Sequence, residues 1–254
     1  MEARTHLAAI STEALRARLA GGERLVALVP CGSVEPHGPH LPLATDTLIS
    51  EHAALQAIPL LAAQGLGALL APPIPYGVTR YAQSFAGAVS VPAAALTAFA
   101  RAVIEGLLET GFHHVCLVNN HLEPEHDAAV RAAIVGLPEG RASVACPLTR
   151  RWGRTLSAEF KSGACHAGRY ETSLVLAAAP EQVDRDKARA LPALDLSLSE
   201  GIKSGKTTFA AIGMSEAYTG APALASEAEG EELHARLAVM ITAEVLEALA
   251  RAAP

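Results

Sequence analysis

Apolar residues along this chain fall into two rhythms. Short, nearly continuous apolar runs occur at Leu25–Val29, Leu69–Ile74, His114–Val118 and Ala142–Cys146. Runs of that length bounded by Gly, Pro or polar residues predict buried strands. Between them lie longer, alanine-rich segments that predict helices over Leu7–Leu19, Thr45–Ala63, Pro92–Glu109, Pro124–Val135, Tyr170–Ala178 and Ser226–Leu249. Gly21-Gly22 and Gly111 stop the first and third. Thr45 or Asp46 can cap the second, and Pro124 suits the first turn of the fourth. Pro72 and Pro73 break the 69–74 strand and lead into a loop, Tyr76–Ser84. Gln182–Thr208 is the least regular stretch.

Alternating strands and helices predict an α/β fold with a mostly parallel central sheet, helices on both faces and right-handed connections. No repeat or composition break marks a second domain, so residues 1–254 read as one. Ligands of such sheets bind beyond the carboxyl ends of the strands. Two polar loops directly follow predicted strands there, at 31–47 and 119–126.

The first loop carries Glu35, His37, His40 and Asp46, held by glycines and prolines in a stretch that cannot be regular helix. The second carries His121, Glu123, Glu125, His126 and Asp127, and a third segment, Cys165–Ser173, adds His166 and Glu171. In extended backbone, residues two apart face the same way, so Glu35 and His37 can share a site, as can His121 and Glu123. Imidazole nitrogen with carboxylate oxygen suits borderline divalent cations such as zinc. Two adjacent metals need a shared ligand, and Asp46 at a helix start is placed to bridge. Glu125, His126 and Asp127 read more simply as the solvated first turn of a helix. His52 and His234 read as solvated helix residues. His113 and His114 have no evident partner, and Cys116 reads as core.

Composition narrows the class. Of 254 residues, 50% are hydrophobic and 18% charged, which supports a sizeable core and excludes disorder. A net charge of −6 and no basic run argue against nucleic acid or an anionic membrane as partner. No apolar run is long enough to span a bilayer. The four cysteines form no CxxC pair, and Met1–Leu19 has no apolar signal core. These features read as a reduced, soluble, cytoplasmic protein.

Gly-Ser-Val-Glu-Pro-His-Gly-Pro-His-Leu-Pro-Leu-Ala-Thr-Asp at 32–46 resembles the signature of the creatininase family of metal-dependent amidohydrolases. Asn119-Asn120-His121-Leu122-Glu123 and His166-Ala167-Gly168-Arg169-Tyr170-Glu171-Thr172-Ser173 resemble its second and third segments. The resemblance implies a single-domain, three-layer α/β/α sandwich with two divalent metals per subunit, zinc first, with manganese or iron as alternatives. It implies Glu35, Asp46 and His121 on one metal, and His37, Asp46 and Glu123 on the other. His166 would be the acid/base, with Glu171 orienting it or approaching the metals from behind, and His40 in a supporting role. It also implies a homo-oligomer, often a hexamer. The chain departs from creatininase itself in Lys161-Ser162-Gly163, which lacks the tryptophan that closes over the creatinine ring. Trp152 is the only tryptophan.

The expected reaction is attack of a metal-bridging hydroxide on the C–N bond of a small cyclic amide or formamide other than creatinine. Candidate pocket residues are Tyr76, Arg80, Tyr81 and Ser84 in the loop after a strand, and Trp152 with Arg150 and Arg151. Arg151 could grip a substrate carboxylate or phosphate. Two other readings stand beside this one: a peptidase acting on a short peptide or cofactor precursor, and a non-catalytic metal-binding relic. A nucleotide binder is disfavoured, since no Gly-rich phosphate loop follows a strand.

Overall fold

The computed structural model describes residues 5–252. Among them, four strands form one fully parallel sheet: β1 (Leu25–Cys31), β2 (Gly67–Leu70), β3 (His114–Asn119) and β4 (Ala142–Ala145), in the order β2-β1-β3-β4. Every residue of β1 and β3 is buried, as both faces of a parallel sheet must be. Side chains alternate between the faces. Val26, Leu28, Cys116 and Val118 enter one apolar cluster; Leu25, Ala27, Val29, Val115 and Leu117 enter the other.

Helices α2 (Thr45–Ala62), α7 (Arg169–Ala178) and α11 (Glu227–Arg251) cover the first face. Helices α3 (Ala93–Glu109) and α4 (Pro124–Ala132) cover the second, with α1 (Thr12–Ala20) at its margin. The molecule is therefore the expected α/β sandwich of three layers. From β1 the chain crosses through α2 to β2 on one side; from β2 it crosses through α3 to β3 on the other side of β1. Strand order reverses between β1 and β3, which opens a crevice at their carboxyl ends. Both polar loops start there.

Several elements differ from expectation for local reasons. The segment over Leu7–Leu19 divides into a single 3-10 turn, Leu7–Ala9, and α1, because the Ser11 hydroxyl accepts from the Ala14 N–H and starts a new helix. Strand β2 begins earlier and ends at Leu70, before the prolines; Ile74 keeps only a single bridge to Cys31. Neither Thr45 nor Asp46 caps α2. Ala44 is its N-cap, the Thr45 hydroxyl donates to the Pro42 carbonyl, and Asp46 lies inside the first turn. The irregular region resolves into short helices, α8 (Arg185–Ala190) and α9 (Leu198–Lys203), followed by α10 (Phe209–Ile212). Two more short helices, α5 (Arg150–Gly153) and α6 (Ala158–Ser162), precede α7.

Two histidines expected at the surface are not there, and a third, His114, has partners that the sequence did not show. His234 is fully buried, with its Nε2 3.0 Å from the Leu174 carbonyl and its ring 4.3 Å from that of half-buried His52. The α2–α11 contact supplies this pocket. His126 is also fully buried, and its Nδ1 accepts from the Val78 N–H at 3.2 Å. His114 finds two partners, the Gly140 carbonyl and the Ser143 hydroxyl, both at 2.8 Å.

Candidate active site

Strand β1 ends at Cys31, and the chain must then pass directly over the start of α2. Only glycine permits this: a Cβ on Gly32 would lie 2.4 Å from the Thr47 Oγ1 and 2.6 Å from its backbone N. The following loop is closed by the Glu35 N–H donating to the Leu43 carbonyl at 3.1 Å. This path lays Glu35 and His37 beside Asp46. Strand β3 delivers the next residues. The His121 N–H donates to Asn119 Oδ1 at 3.0 Å, while Ser50 of α2 binds both Asn120 nitrogens. A third turn, at the start of α7, brings His166 and Glu171. There Ala167 sits in the left-handed region at φ 51°, and its N–H donates to Glu171 Oε2 at 2.7 Å.

Two triads of buried side chains result, {Glu35, Asp46, His121} and {His37, Asp46, Glu171}, each with ligand atoms close enough to hold one cation. Asp46 belongs to both. Its Oδ1 lies 3.2 Å from His37 Nε2, and its Oδ2 lies 3.0 Å from His121 Nδ1. Each oxygen thus faces a different histidine. Glu35 Oε1 stands 3.3 Å from His121 Nδ1, and Glu171 Oε2 stands 3.5 Å from His37 Nε2. The second triad is completed by Glu171 rather than by Glu123. A third grouping, Glu35 with His37 and His166, overlaps the first two.

Backbone carbonyls fix the histidine tautomers. His37 Nδ1 is 3.1 Å from the Glu35 carbonyl, and His121 Nε2 is 2.7 Å from the Val78 carbonyl. A carbonyl only accepts, so those nitrogens carry a proton, and the opposite nitrogens are the ones turned toward Asp46. His166 obeys the same logic. Its Nε2 donates to the Pro36 carbonyl at 3.1 Å, leaving an Nδ1 lone pair 3.9 Å from Glu35 Oε1.

Burial and charge set the proton affinities. For His37, burial works against the proton, but Asp46, Glu171 and Glu35 outweigh it and raise the pKa to about 10. His121 moves the same way, burial again being overcome by Glu35 and Asp46. Burial raises the Glu171 carboxyl to about 8. Burial opposes ionisation of Glu35, yet His121 and its neighbours hold it down at about 2. His166 is lowered to about 4 by burial and then by His37. The cluster concentrates carboxylates that attract positive charge, while His166 stays neutral beside it.

Glu123 stands apart from both triads. Its carboxylate accepts from the Arg80 N–H at 2.9 and 3.0 Å and from the Tyr81 N–H at 3.4 Å, and burial raises its pKa. It lines a small cavity of about 30 Å³ together with Glu35, Asp46, His121, His166 and Glu171. Tyr81 lines the same cavity. Other expected pocket residues lie elsewhere. The Arg80 guanidinium turns outward to Glu125 at 2.7 Å, Tyr76 is 49% exposed, and Ser84 is exposed. Trp152 is buried against α11, where its indole N–H donates to Glu244 at 2.6 Å. Arg151 pairs with Glu247 at 2.6 Å and so is occupied. His40 supports the site from behind, its Nε2 2.8 Å from the Thr172 hydroxyl of α7.

Sequence reasoning missed two contributors. The buried Thr79 hydroxyl donates to Glu35 Oε2, and Phe209 packs its ring 4.4 Å from that of His166. Thr79 had a usable signal, lying in a loop just after a strand. Phe209 had none, because it arrives from an irregular segment whose route no local pattern specifies.

Comparison with known proteins gives the family and the fold. The creatininase family model, described as creatinine amidohydrolase, matches residues 8–245. A mycofactocin precursor peptide peptidase of Mycobacterium ulcerans (strain Agy99) is 35% identical over 223 residues, covering 83% of this chain and 80% of that protein. A creatinine amidohydrolase of Pseudomonas putida is 28% identical over 193 residues, covering 67% and 70%. Among solved structures, a manganese creatininase superposes with a TM-score of 0.71 at 21% identity, covering 96% of this chain and 98% of that one. A creatininase variant of Zn-Zn type gives 0.70 at 20% identity, covering 95% and 97%. At those identities the structures speak to the fold.

Proposed function

Because this chain belongs to the creatininase family, we propose that it is a hydrolase that uses two divalent metals to cleave the C–N amide bond of a peptide. The observation that carries the reading is the division of Asp46: one carboxylate oxygen faces the free nitrogen of His37, the other that of His121. The donor set fits cations. His37 Nε2 and Asp46 Oδ2 are buried without a hydrogen-bond partner. Such atoms are costly unless something binds them. Glu35, Asp46 and His121 would hold one metal; His37, Asp46 and Glu171 would hold the other, zinc or manganese being the natural candidates for this set. Bound there, the metals would polarise the scissile carbonyl and acidify water.

The chain's own residues supply the proton traffic. His166 Nδ1, neutral and unprotonated, takes the proton that water releases as its oxygen bonds the carbonyl carbon. It returns that proton to the nitrogen as the C–N bond breaks. The Pro36 carbonyl holds the ring in the tautomer this requires. Phe209 keeps bulk water off the ring. Glu123, fixed by two backbone N–H groups, orients the attacking water from the cavity wall.

A peptide is favoured over a small cyclic amide because relatives that match most of the chain are peptide peptidases. The small-amide reading keeps one support, the 28% identical creatinine amidohydrolase. Protein reconstituted with zinc or manganese should release amine from short peptides and lose that activity to a chelator. Cleavage of cyclic amides or formamides alone would replace the peptide reading. A loaded protein that cleaves no C–N bond would overturn the hydrolase itself.

A further inference from the structure

The inner cavity, at about 30 Å³, holds little more than a water molecule. Any substrate whose scissile bond reaches it must leave most of its bulk outside. A groove of about 700 Å³ receives that bulk. The two spaces share a wall: Leu122, Cys165, Leu198 and Ile202 line both. Cys165 precedes His166 directly, so the groove opens onto the proton carrier.

The charge of this groove is one-sided. Arg150, Arg154, Lys161 and Lys203 line it, and no Asp or Glu does. Three separate short helices bring them, α5 and the residue after it, α6, and α9. None of the four makes an ion pair among the described residues, whereas Arg151 next door is neutralised by Glu247. Four unpaired cations around one opening stand out on a chain of net charge −6. Pro124, Pro147 and Phe160 form stiff apolar walls between them. Such a surface attracts negative charge and seats an extended chain rather than a compact ring.

We propose that this groove is the binding site for an anionic segment of the peptide substrate, held by Arg150, Arg154, Lys161 and Lys203 while the scissile bond lies in the inner cavity. The inference rests on the peptide reading of the activity. Acidic side chains and phosphoryl groups share the required chemistry.

The test separates binding from turnover. Metal-loaded protein is titrated calorimetrically with three blocked hexapeptides of one length: glutamate-rich, phosphoserine-containing and glutamine-rich. Cleavage of each is followed in parallel. At least one anionic peptide should bind roughly 10-fold to 100-fold more tightly than the glutamine peptide, with the preference shrinking as salt rises. The stronger of the two names the source of the charge. A variant with Arg150→Gln, Arg154→Gln, Lys161→Gln and Lys203→Gln should lose the preference while keeping its affinity for the glutamine peptide. A control of equal charge change on other surfaces, Arg16→Gln, Arg185→Gln, Lys187→Gln and Arg189→Gln, should keep it. Equal binding of all three peptides refutes the groove, as does equal loss in both variants. Selective binding without cleavage of any peptide leaves the groove standing and removes the peptidase reading.

Discussion

Replacing Asp46 with asparagine is the sharpest probe of the shared carboxylate. The shape is kept, but the two ends of the side chain stop being equivalent. One oxygen remains as a neutral acceptor. The other position becomes an NH₂ group, which donates and cannot bind a cation. Since Asp46 Oδ1 is 3.2 Å from His37 Nε2 and Oδ2 is 3.0 Å from His121 Nδ1, one triad loses a ligand outright and the other loses a charge. Unit charges about 4 Å apart interact by about 4 kcal/mol at an effective dielectric constant of about 20. A directly bound divalent ion loses more, so a drop of about 10³-fold in affinity is a floor for each position. The assay is competition with a chromophoric chelator, followed by elemental analysis of the dialysed protein, with circular dichroism to establish that the fold persists. If Asp46→Asn retains two metal equivalents, each within 10-fold of its original affinity, the two-sided role of Asp46 is wrong.

Other perturbations separate the remaining roles. Glu171→Gln should reduce bound metal to about one equivalent, whereas Glu123→Gln should keep both and slow turnover; the reverse pattern would return Glu123 to the ligand set. His166→Ala should lower kcat by about 10²-fold to 10⁴-fold with metal content unchanged, and metal loss there would make His166 a ligand. Acid stability tests the buried histidines remote from the metals. Burial lowers His114 to about 4 and His234 to about 3, so both are neutral in the fold while the unfolded chain takes up protons below about 6.5. Stability is therefore full above that pH and falls as pH drops toward the folded values. At pH 5 each site should remove about 2 kcal/mol relative to neutral pH. Urea midpoints at the two pH values should show that difference shrinking by about that amount in His234→Gln, and an unchanged pH dependence would count against the buried neutral state.

The parts of this molecule legible in sequence are those set by local pattern. Leu25–Val29 and His114–Val118 announce buried parallel strands because both faces of such strands must be apolar, and their polar continuations mark the carboxyl-end loops. Glu35, His37, Asp46 and His121 follow from those loops and come together as expected. What escaped depends on contacts between distant segments. Glu123 and Glu171 both looked like site carboxylates, but only the left-handed turn at Ala167 and the backbone donors of Arg80 and Tyr81 send one to the second triad and the other to the cavity wall. His234 has the helical context of a surface residue and is buried by α2 packing on α11. Trp152, the only tryptophan, invites a pocket role, yet Glu244 on the terminal helix claims its indole.

The backbone at Ala167 has an evolutionary edge. A left-handed alanine carries roughly 1–2 kcal/mol of conformational strain, which glycine would relieve in part before its greater chain entropy and the loss of a fully buried methyl offset the gain. Ala167→Gly is thus nearly free in stability, and such a change would drift in easily. It would also loosen the turn that positions two groups of different chemistry, the imidazole before it and the carboxylate its N–H anchors. Precision at this turn is therefore invisible to selection for folding and visible only to selection for rate.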